Sequence, residues 1–330
     1  MRVLRLVPPA AAILFGSVFF LPAGNTLSEQ AGGEKTVGTG RTEVAAVVAR
    51  APREFVPSDR LLSHARPNDL FLRSSVALVL DDEDGTVLYE RNPGEKRPIA
   101  SLTKLMTAMV TIDADLPLND RITIKREDRD RLRGSKSRLS FGTILTRRDT
   151  LFIALAASEN RAAYALARTY PGGKEAFVRA MNAKAVSLGM KDSHFHDPTG
   201  LHSKNVSTAM DLAVLVDAAG GYPIIGAMTT KARGSVTDLR KGWKVEFFNT
   251  NRLVRSKDWS IGLSKTGYIA DAGNCLVMKA EISKRPVTIV LLNSWGKLSK
   301  FGDSNRIRKW LTKAEEKAKV SQLQDTAPAG

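Results

Sequence analysis

The chain has 330 residues, 43% of them hydrophobic, and a formal net charge of +16. That is enough apolar material for a globular protein with a substantial core, arranged as one large domain or two ordinary ones. The charge attracts polyanions without choosing among nucleic acid, anionic lipid and an acidic wall polymer, but no zinc-finger spacing or aromatic RNA-binding signature accompanies it, so nucleic acid is not the expected partner.

Residues 1–5 carry two arginines and no acid, and residues 10–21 form an apolar run of twelve, shorter than the ~20 residues of a spanning helix. This reads as an export signal over residues 1–23. Its cleavage site, Leu21-Pro22-Ala23, lacks a small residue three positions before the cut, which leaves an uncleaved anchor as the alternative. No cysteine follows the apolar run, and the single cysteine, Cys275, has no internal disulfide partner, so the exported protein must rely on its core. Residues 24–54, rich in Gly, Thr and charge, read as a flexible leader. Residues 55–320 are expected to form one domain and 321–330 a polar tail.

Within that domain, two strand-like runs at 75–80 and 86–89 flank Asp84-Gly85, which predicts a hairpin. Apolar residues then recur at helical spacing over 101–114, 146–157, 161–170, 174–188 and 207–219, the fourth segment closed by Gly189 and the fifth capped by Ser207 or Thr208. Beyond Tyr222 strands are expected at 244–248, 261–265, 276–282 and 287–292. A last helix over 305–319 puts Ile307, Trp310, Leu311 and Ala314 on one face, read as packing on the sheet rather than on a membrane. Strands at both ends around a helical middle predict an α+β fold, an antiparallel sheet flanked by helices.

The chemistry starts at Ser101-Leu-Thr-Lys104. On a helix these two residues share one face about one turn apart, so the Lys104 amine can reach the Ser101 hydroxyl. A serine hydroxyl is a weak nucleophile that needs a base, and a lysine of lowered pKa can serve. The pattern alone is weak, because Ser294-Trp-Gly-Lys297 has the same spacing and either serine could be a helix cap beside a solvated lysine. Two further motifs follow Ser101 in order: Ser158-Glu-Asn160 in a turn between helices, and Lys265-Thr-Gly267 at the end of a strand-like run, placed to line a cleft at a sheet edge. Ser203-Lys-Asn205 also matches the second pattern but lies in a polar loop, and no partner motif follows Ser294. The ordered trio, with Asp usual in the middle of the second motif, marks class A β-lactamases and penicillin-binding proteins. His194, His196, Asp197 and His202 offer donors for zinc, but without His-Glu-x-x-His they read as a surface loop, and neither metal nor another cofactor is expected. Cys275 reads as a small core residue.

On these motifs, together with Pro198-Thr-Gly-Leu201, Ser207-Thr-Ala-Met-Asp-Leu212 and Asp271-Ala-Gly-Asn-Cys275, the chain resembles the serine D-alanyl-D-alanine peptidases, the low-molecular-mass penicillin-binding proteins. The resemblance spans about residues 75–295 and is strongest to the endopeptidase branch. It implies a β-lactamase/transpeptidase-like fold, with a five-stranded antiparallel sheet and a mainly helical subdomain inserted between strands. It implies that Ser101 attacks a D-alanyl carbonyl to form an acyl-enzyme. Lys104 would be the base, its pKa lowered by burial and by the charge of Lys265. Ser158 would pass a proton to the leaving amine, and Asn160 would orient Lys104 and the substrate amide. Lys265 and Thr266 would hold a substrate carboxylate, Gly267 would leave room for the substrate along the strand, and the N–H groups of Ser101 and Tyr268 would receive the oxyanion. The implied partners are peptidoglycan stem peptides and cross-links, with β-lactam antibiotics as covalent inhibitors. The implied setting is the periplasm. No stable membrane anchor is expected, because only about 35 residues follow Trp295, fewer than the extra β domain and amphipathic anchor of many carboxypeptidase relatives. Two other readings compete. A serine β-lactamase needs a water-activating carboxylate, and no Glu-x-x-Leu-Asn segment lies between Asn160 and Lys265. A non-catalytic wall-binding or antibiotic-sensing module predicts that Ser101→Ala leaves the biological role intact, which complementation of a deletion strain checks.

Overall fold

Three apolar runs, in Ser74–Asp81, Gly273–Ile282 and Arg285–Ser294, are too continuous for strands with one wet face, and the structure buries them on both faces. The computed structural model describes residues 55–326; the expected export signal and leader lie outside the described residues. The chain enters through α1 (Ser58–His64) and an antiparallel hairpin of β1 (Ser74–Asp81) and β2 (Val87–Arg91). An inserted, mainly helical region follows. It contains β3 (Arg97–Pro98), α2 (Lys104–Asp113), β4 (Arg121–Thr123), β5 (Ile144–Thr146), α3 (Arg147–Ala156), α4 (Asn160–Arg168), α5 (Gly173–Ser187), β6 (Val206–Ser207), α6 (Ala209–Gly220) and α7 (Pro223–Thr230), and closes with the hairpin of β7 (Arg233–Thr237) and β8 (Lys244–Phe248). The chain then returns to the sheet through β9 (Ser260–Ile269), β10 (Gly273–Ile282) and β11 (Arg285–Ser294), and ends in α8 (Ser299–Thr326).

The main sheet is five-stranded and antiparallel in the order β2-β1-β11-β10-β9. Successive strand residues point to opposite faces, and here each face has its own core. Val76, Leu78, Val277, Val290 and Leu292 face the inserted helices. Ala77, Val79, Met278, Ile289 and Leu291 face α8 and its neighbours. Trp310 anchors α8 as expected: its ring meets Tyr89 edge-on at 6.1 Å and its indole N–H donates to the Arg66 carbonyl at 3.1 Å.

A cluster of buried charges lies inside the second layer. Arg285, 1% exposed, pairs with Asp81 on β1 and Glu315 on α8 and also donates to the Val56 carbonyl. Glu315 in turn accepts from the Val56 N–H at 2.7 Å, and Asp81 from the Ser58 hydroxyl at 2.6 Å. The cluster thus ties the segment before β1, the sheet and the last helix together.

Several elements differ from the expectations. Before the strand at 244–248 come two unexpected elements, β7 and α7, the latter opened by Pro223, whose fixed φ suits the first helical position. The strand at 244–248 exists but pairs with β7 in a separate hairpin outside the main sheet. Lys265-Thr-Gly267 lies inside β9, which runs on to Ile269. The last helix begins at Ser299, and 321–326, expected as tail, continue it.

Truncating Arg285 to alanine leaves the buried Asp81 carboxylate without its cation and Glu315 with only the more distant Lys319 at 3.7 Å. It is expected to lower stability by about 3–5 kcal/mol, measured as a shift of the urea unfolding midpoint at unchanged slope.

Candidate active site

Lys104 is the first residue of α2, reached through a 3-10 turn over Ala100–Thr103 that carries Ser101. The expected helix therefore starts as a tighter turn, yet Lys104 Nζ still donates to Ser101 Oγ at 2.8 Å. The ammonium has two more acceptors, Asn160 Oδ1 at 2.7 Å and the Thr199 carbonyl at 2.9 Å. It is 1% exposed. Burial, partly offset by the fields of Asp197, Glu159 and Asp130, lowers its pKa to about 7.

Ser158 sits between α3 and α4 with φ +58°, a left-handed conformation unusual for serine. Such a residue costs about 1–3 kcal/mol of local strain and persists where its surroundings demand it. Here it turns the chain so that Asn160, at the start of α4, faces Lys104, while Ser158 Oγ accepts from Lys265 Nζ at 3.0 Å. Lys265 also donates to the Thr266 carbonyl at 2.9 Å. Burial first, and the charge of Lys104 second, push the Lys265 pKa well below the usual lysine value. Burial is thus the leading cause at both lysines, and it makes the Lys104 ammonium acidic enough to lose its proton near neutrality.

The edge strand β9 closes the site. A Cβ on Gly267 would lie 3.0 Å from Ser101 N and 3.0 Å from Ala100 Cβ, so only glycine lets the strand pass this close to the serine's backbone. Thr266 Oγ1 donates to Thr250 Oγ1 at 2.7 Å, and Tyr268 is 65% exposed at the rim. Ser101, Ser158, Asn160, Thr266, Gly267 and Tyr268 line one groove of about 1060 Å³, with Lys104 and Lys265 reaching it from the buried side. The structure therefore brings all eight sequence-selected residues together.

Sequence reasoning missed the support beneath Lys104. The Asp197 carboxylate accepts from the N–H groups of Thr199, Gly200 and His202 and from Asn205 Nδ2, fixing the loop that offers the Thr199 carbonyl. Burial raises its pKa, but these hydrogen bonds outweigh it and hold the pKa below the usual value. Its oxygens are thus engaged within the loop, and among the described residues no cluster of three or more His, Cys, Asp or Glu could hold a metal. The signal was present: Asp-x-Thr-Gly is an Asx-type turn sequence. Ser135, between β4 and β5, was also missed; its Oγ accepts from Asn160 Nδ2 at 2.9 Å. The decoys have structural work. Ser294 Oγ meets Ser74 Oγ at 2.6 Å, and Cys275 is buried with its thiol pushed up to about 11 by desolvation.

A serine bonded to a buried lysine of lowered pKa, beside a second serine held by a second lysine on an edge strand, defines an enzyme of the serine acyl-transfer class with the penicillin-binding fold. The D-alanyl-D-alanine carboxypeptidase family matches residues 63–296, and the chain belongs to it. It is 48% identical to the D-alanyl-D-alanine endopeptidase of Pseudomonas aeruginosa over 240 residues, 73% of this chain and 77% of that protein. The Escherichia coli D-alanyl-D-alanine endopeptidase is 43% identical over the same shares. Among solved structures, a Streptomyces DD-transpeptidase superposes with a TM-score of 0.68 at 26% identity, covering 73% of this chain and 97% of that one. Penicillin-binding protein D2 of Listeria monocytogenes, in its cefotaxime-bound form, gives 0.65 at 27% identity over 73% and 98%.

Gly200, with φ +80°, places a would-be Cβ 1.8 Å from the Ala100 carbonyl oxygen. Gly200→Ala is expected to cost at least about 3 kcal/mol and to displace the Thr199 carbonyl. Thermal unfolding, together with the rate of labelling by a fluorescent penicillin, checks both effects.

Proposed function

We propose that this protein is an exported serine peptidase that hydrolyses D-alanyl bonds in peptidoglycan, with cross-links as its main substrates, and is acylated by β-lactams. The observation that carries this reading is the 2.8 Å bond from Lys104 Nζ to Ser101 Oγ, made by a lysine whose pKa is about 7. At neutral pH a large fraction of Lys104 is unprotonated and can accept the serine proton as Oγ bonds to the substrate carbonyl. Ser101 N–H and Tyr268 N–H receive the developing oxyanion, an interaction worth about 3–4 kcal/mol where it has been removed in other enzymes. Ser158 Oγ accepts from Lys265, so its own O–H is free to protonate the leaving amine as the C–N bond breaks. Lys104 then hands the proton taken from Ser101 on to Ser158, and water attacks the ester, giving its own proton to Lys104, which passes it to Ser101 Oγ as the shortened peptide leaves. Lys265 and Thr266 hold the carboxylate on the leaving side, and Asn160 orients both Lys104 and the substrate amide. The substrate adds as an extra strand beside β9, which among the described residues has no neighbour in the sheet on that side.

The preference for cross-links follows the two endopeptidase relatives, and the basic charge suits an anionic wall. The groove favours a peptidase over a β-lactamase because, among the described residues, no carboxylate lines it to activate water against a penicilloyl ester. Among the described residues no single helix is long and apolar enough to cross a membrane. Export rests on residues 1–23, and periplasmic location on that reading.

Digestion of purified cross-linked and uncross-linked muropeptides, with products identified by mass, tests the activity. Cross-linked dimers are expected to be cut to monomers and Ser101→Ala to abolish cutting; intact dimers at high enzyme concentration would sink the proposal. Because Lys104 must be neutral to act, the second-order rate of penicillin acylation is expected to rise about tenfold per pH unit below about 7 and to level off above it. A rate that falls over that range would remove Lys104 as the base.

A further inference from the structure

The groove does not end at Tyr268. It continues past Ile269 and Gly273 to Asn274, Trp295 and Lys300, at the junction of β10, β11 and α8. Lys300 is only 6% exposed, and its partners are neutral: Asn274 Oδ1 at 2.9 Å, the Lys297 carbonyl at 3.1 Å and the face of the Phe301 ring at 5.0 Å. An ammonium held out of water without a carboxylate is costly. Consistently, burial and then the charge of Lys297 move its pKa down. Trp295, beside it on the groove wall, is 77% exposed, a large apolar surface left open to water. The proposed chemistry uses neither residue.

The register fixes which part of a substrate arrives there. Tyr268 pairs with Asn274, and Lys300 reaches Asn274. With strands ~4.8 Å apart, the ammonium lies within about 10 Å of Tyr268, the reach of about three extended residues. The leaving-side carboxylate belongs at Lys265 and Thr266 and the scissile carbonyl at Ser101 and Tyr268. The segment on the acyl side, N-terminal to the scissile bond, must therefore run antiparallel to β9 toward Ile269 and Lys300.

We infer that Lys300, with Trp295 as an apolar wall, forms a carboxylate-binding subsite that selects substrates carrying a free acid one to three residues before the scissile D-alanyl bond. This deepens the proposed function and rests on its substrate orientation. An incoming carboxylate supplies the countercharge that Asn274 and the Lys297 carbonyl do not. Neutralising that acid by amidation, a change of one functional group, removes the ionic partner while keeping shape and length.

The test uses two synthetic stem peptides ending in D-alanyl-D-alanine, one with a free carboxylate at the upstream acidic residue and one with that group amidated. Calorimetric titration of the full-length Ser101→Ala protein reads binding without turnover. The acid form is expected to bind at least about tenfold more tightly than the amide. Adding Lys300→Gln should collapse that ratio to about one, whereas adding Lys300→Arg should keep most of it. Equal affinity for the two peptides in the Ser101→Ala protein overturns the inference, as does a ratio that survives Lys300→Gln. If the glutamine variant fails to fold, the decision rests on the ratio before that change and on its decline with added salt, which an ionic contact requires; a salt-independent ratio counts against the subsite. Hydrolysis of the same peptides and of cross-linked dimers by the Ser101 protein is read separately. Binding selectivity without cleavage would refute the proposed activity alone, and cleavage without selectivity would refute the subsite alone.

Discussion

The Lys104 ammonium is removed from water and held by three acceptors from three separate parts of the chain: Ser101 Oγ, Asn160 Oδ1 and the Thr199 carbonyl. Desolvation raises the free energy of its charged form, and the three acceptors, with the carboxylates of Asp197, Glu159 and Asp130 further off, recover only part of it. The residue therefore balances near neutrality, where its proton can leave and return. A more exposed lysine would stay charged and could not act as a base, and a buried one without acceptors would not hold its position.

That balance explains the crowding around it. Ala100 and Ser158 both adopt left-handed backbone conformations, Gly200 lies where any side chain would collide with the Ala100 carbonyl, and Gly267 passes against Ser101 N. These features are locally unfavourable and are tolerated because the two-layered core around the sheet fixes the elements that carry them. The Arg285 cluster serves the same end from the far face, clamping α8 to β1 and β11.

Buried lysines recur along the whole groove. Lys104 and Lys265 sit at its centre and Lys300 at its far end, each buried and each with a pKa moved down by desolvation. A cleft built this way favours a ligand that brings its own negative charge. The overall excess of Lys and Arg adds long-range attraction to an anionic polymer.

The sequence by itself determined the layout. Continuous apolar runs marked the strands buried on both faces, and helical spacing marked α2 to α6. The order of three short motifs separated Ser101 from Ser294, whose spacing to a following lysine is the same. These signals are local, because side-chain periodicity and short motifs are written in neighbouring residues. The sequence could not show that Asp197, whose carboxylate also suited a metal, instead folds inward to hold the Thr199 carbonyl, that Ser135 supports Asn160, or that 244–248 pairs away from the main sheet. Nor could it show that burial is the leading cause of the lowered pKa at both Lys104 and Lys265, or that a lysine adjoining the decoy motif lines the far end of the groove. Those outcomes depend on which segments meet in space and on exclusion of water, and only tertiary packing sets either.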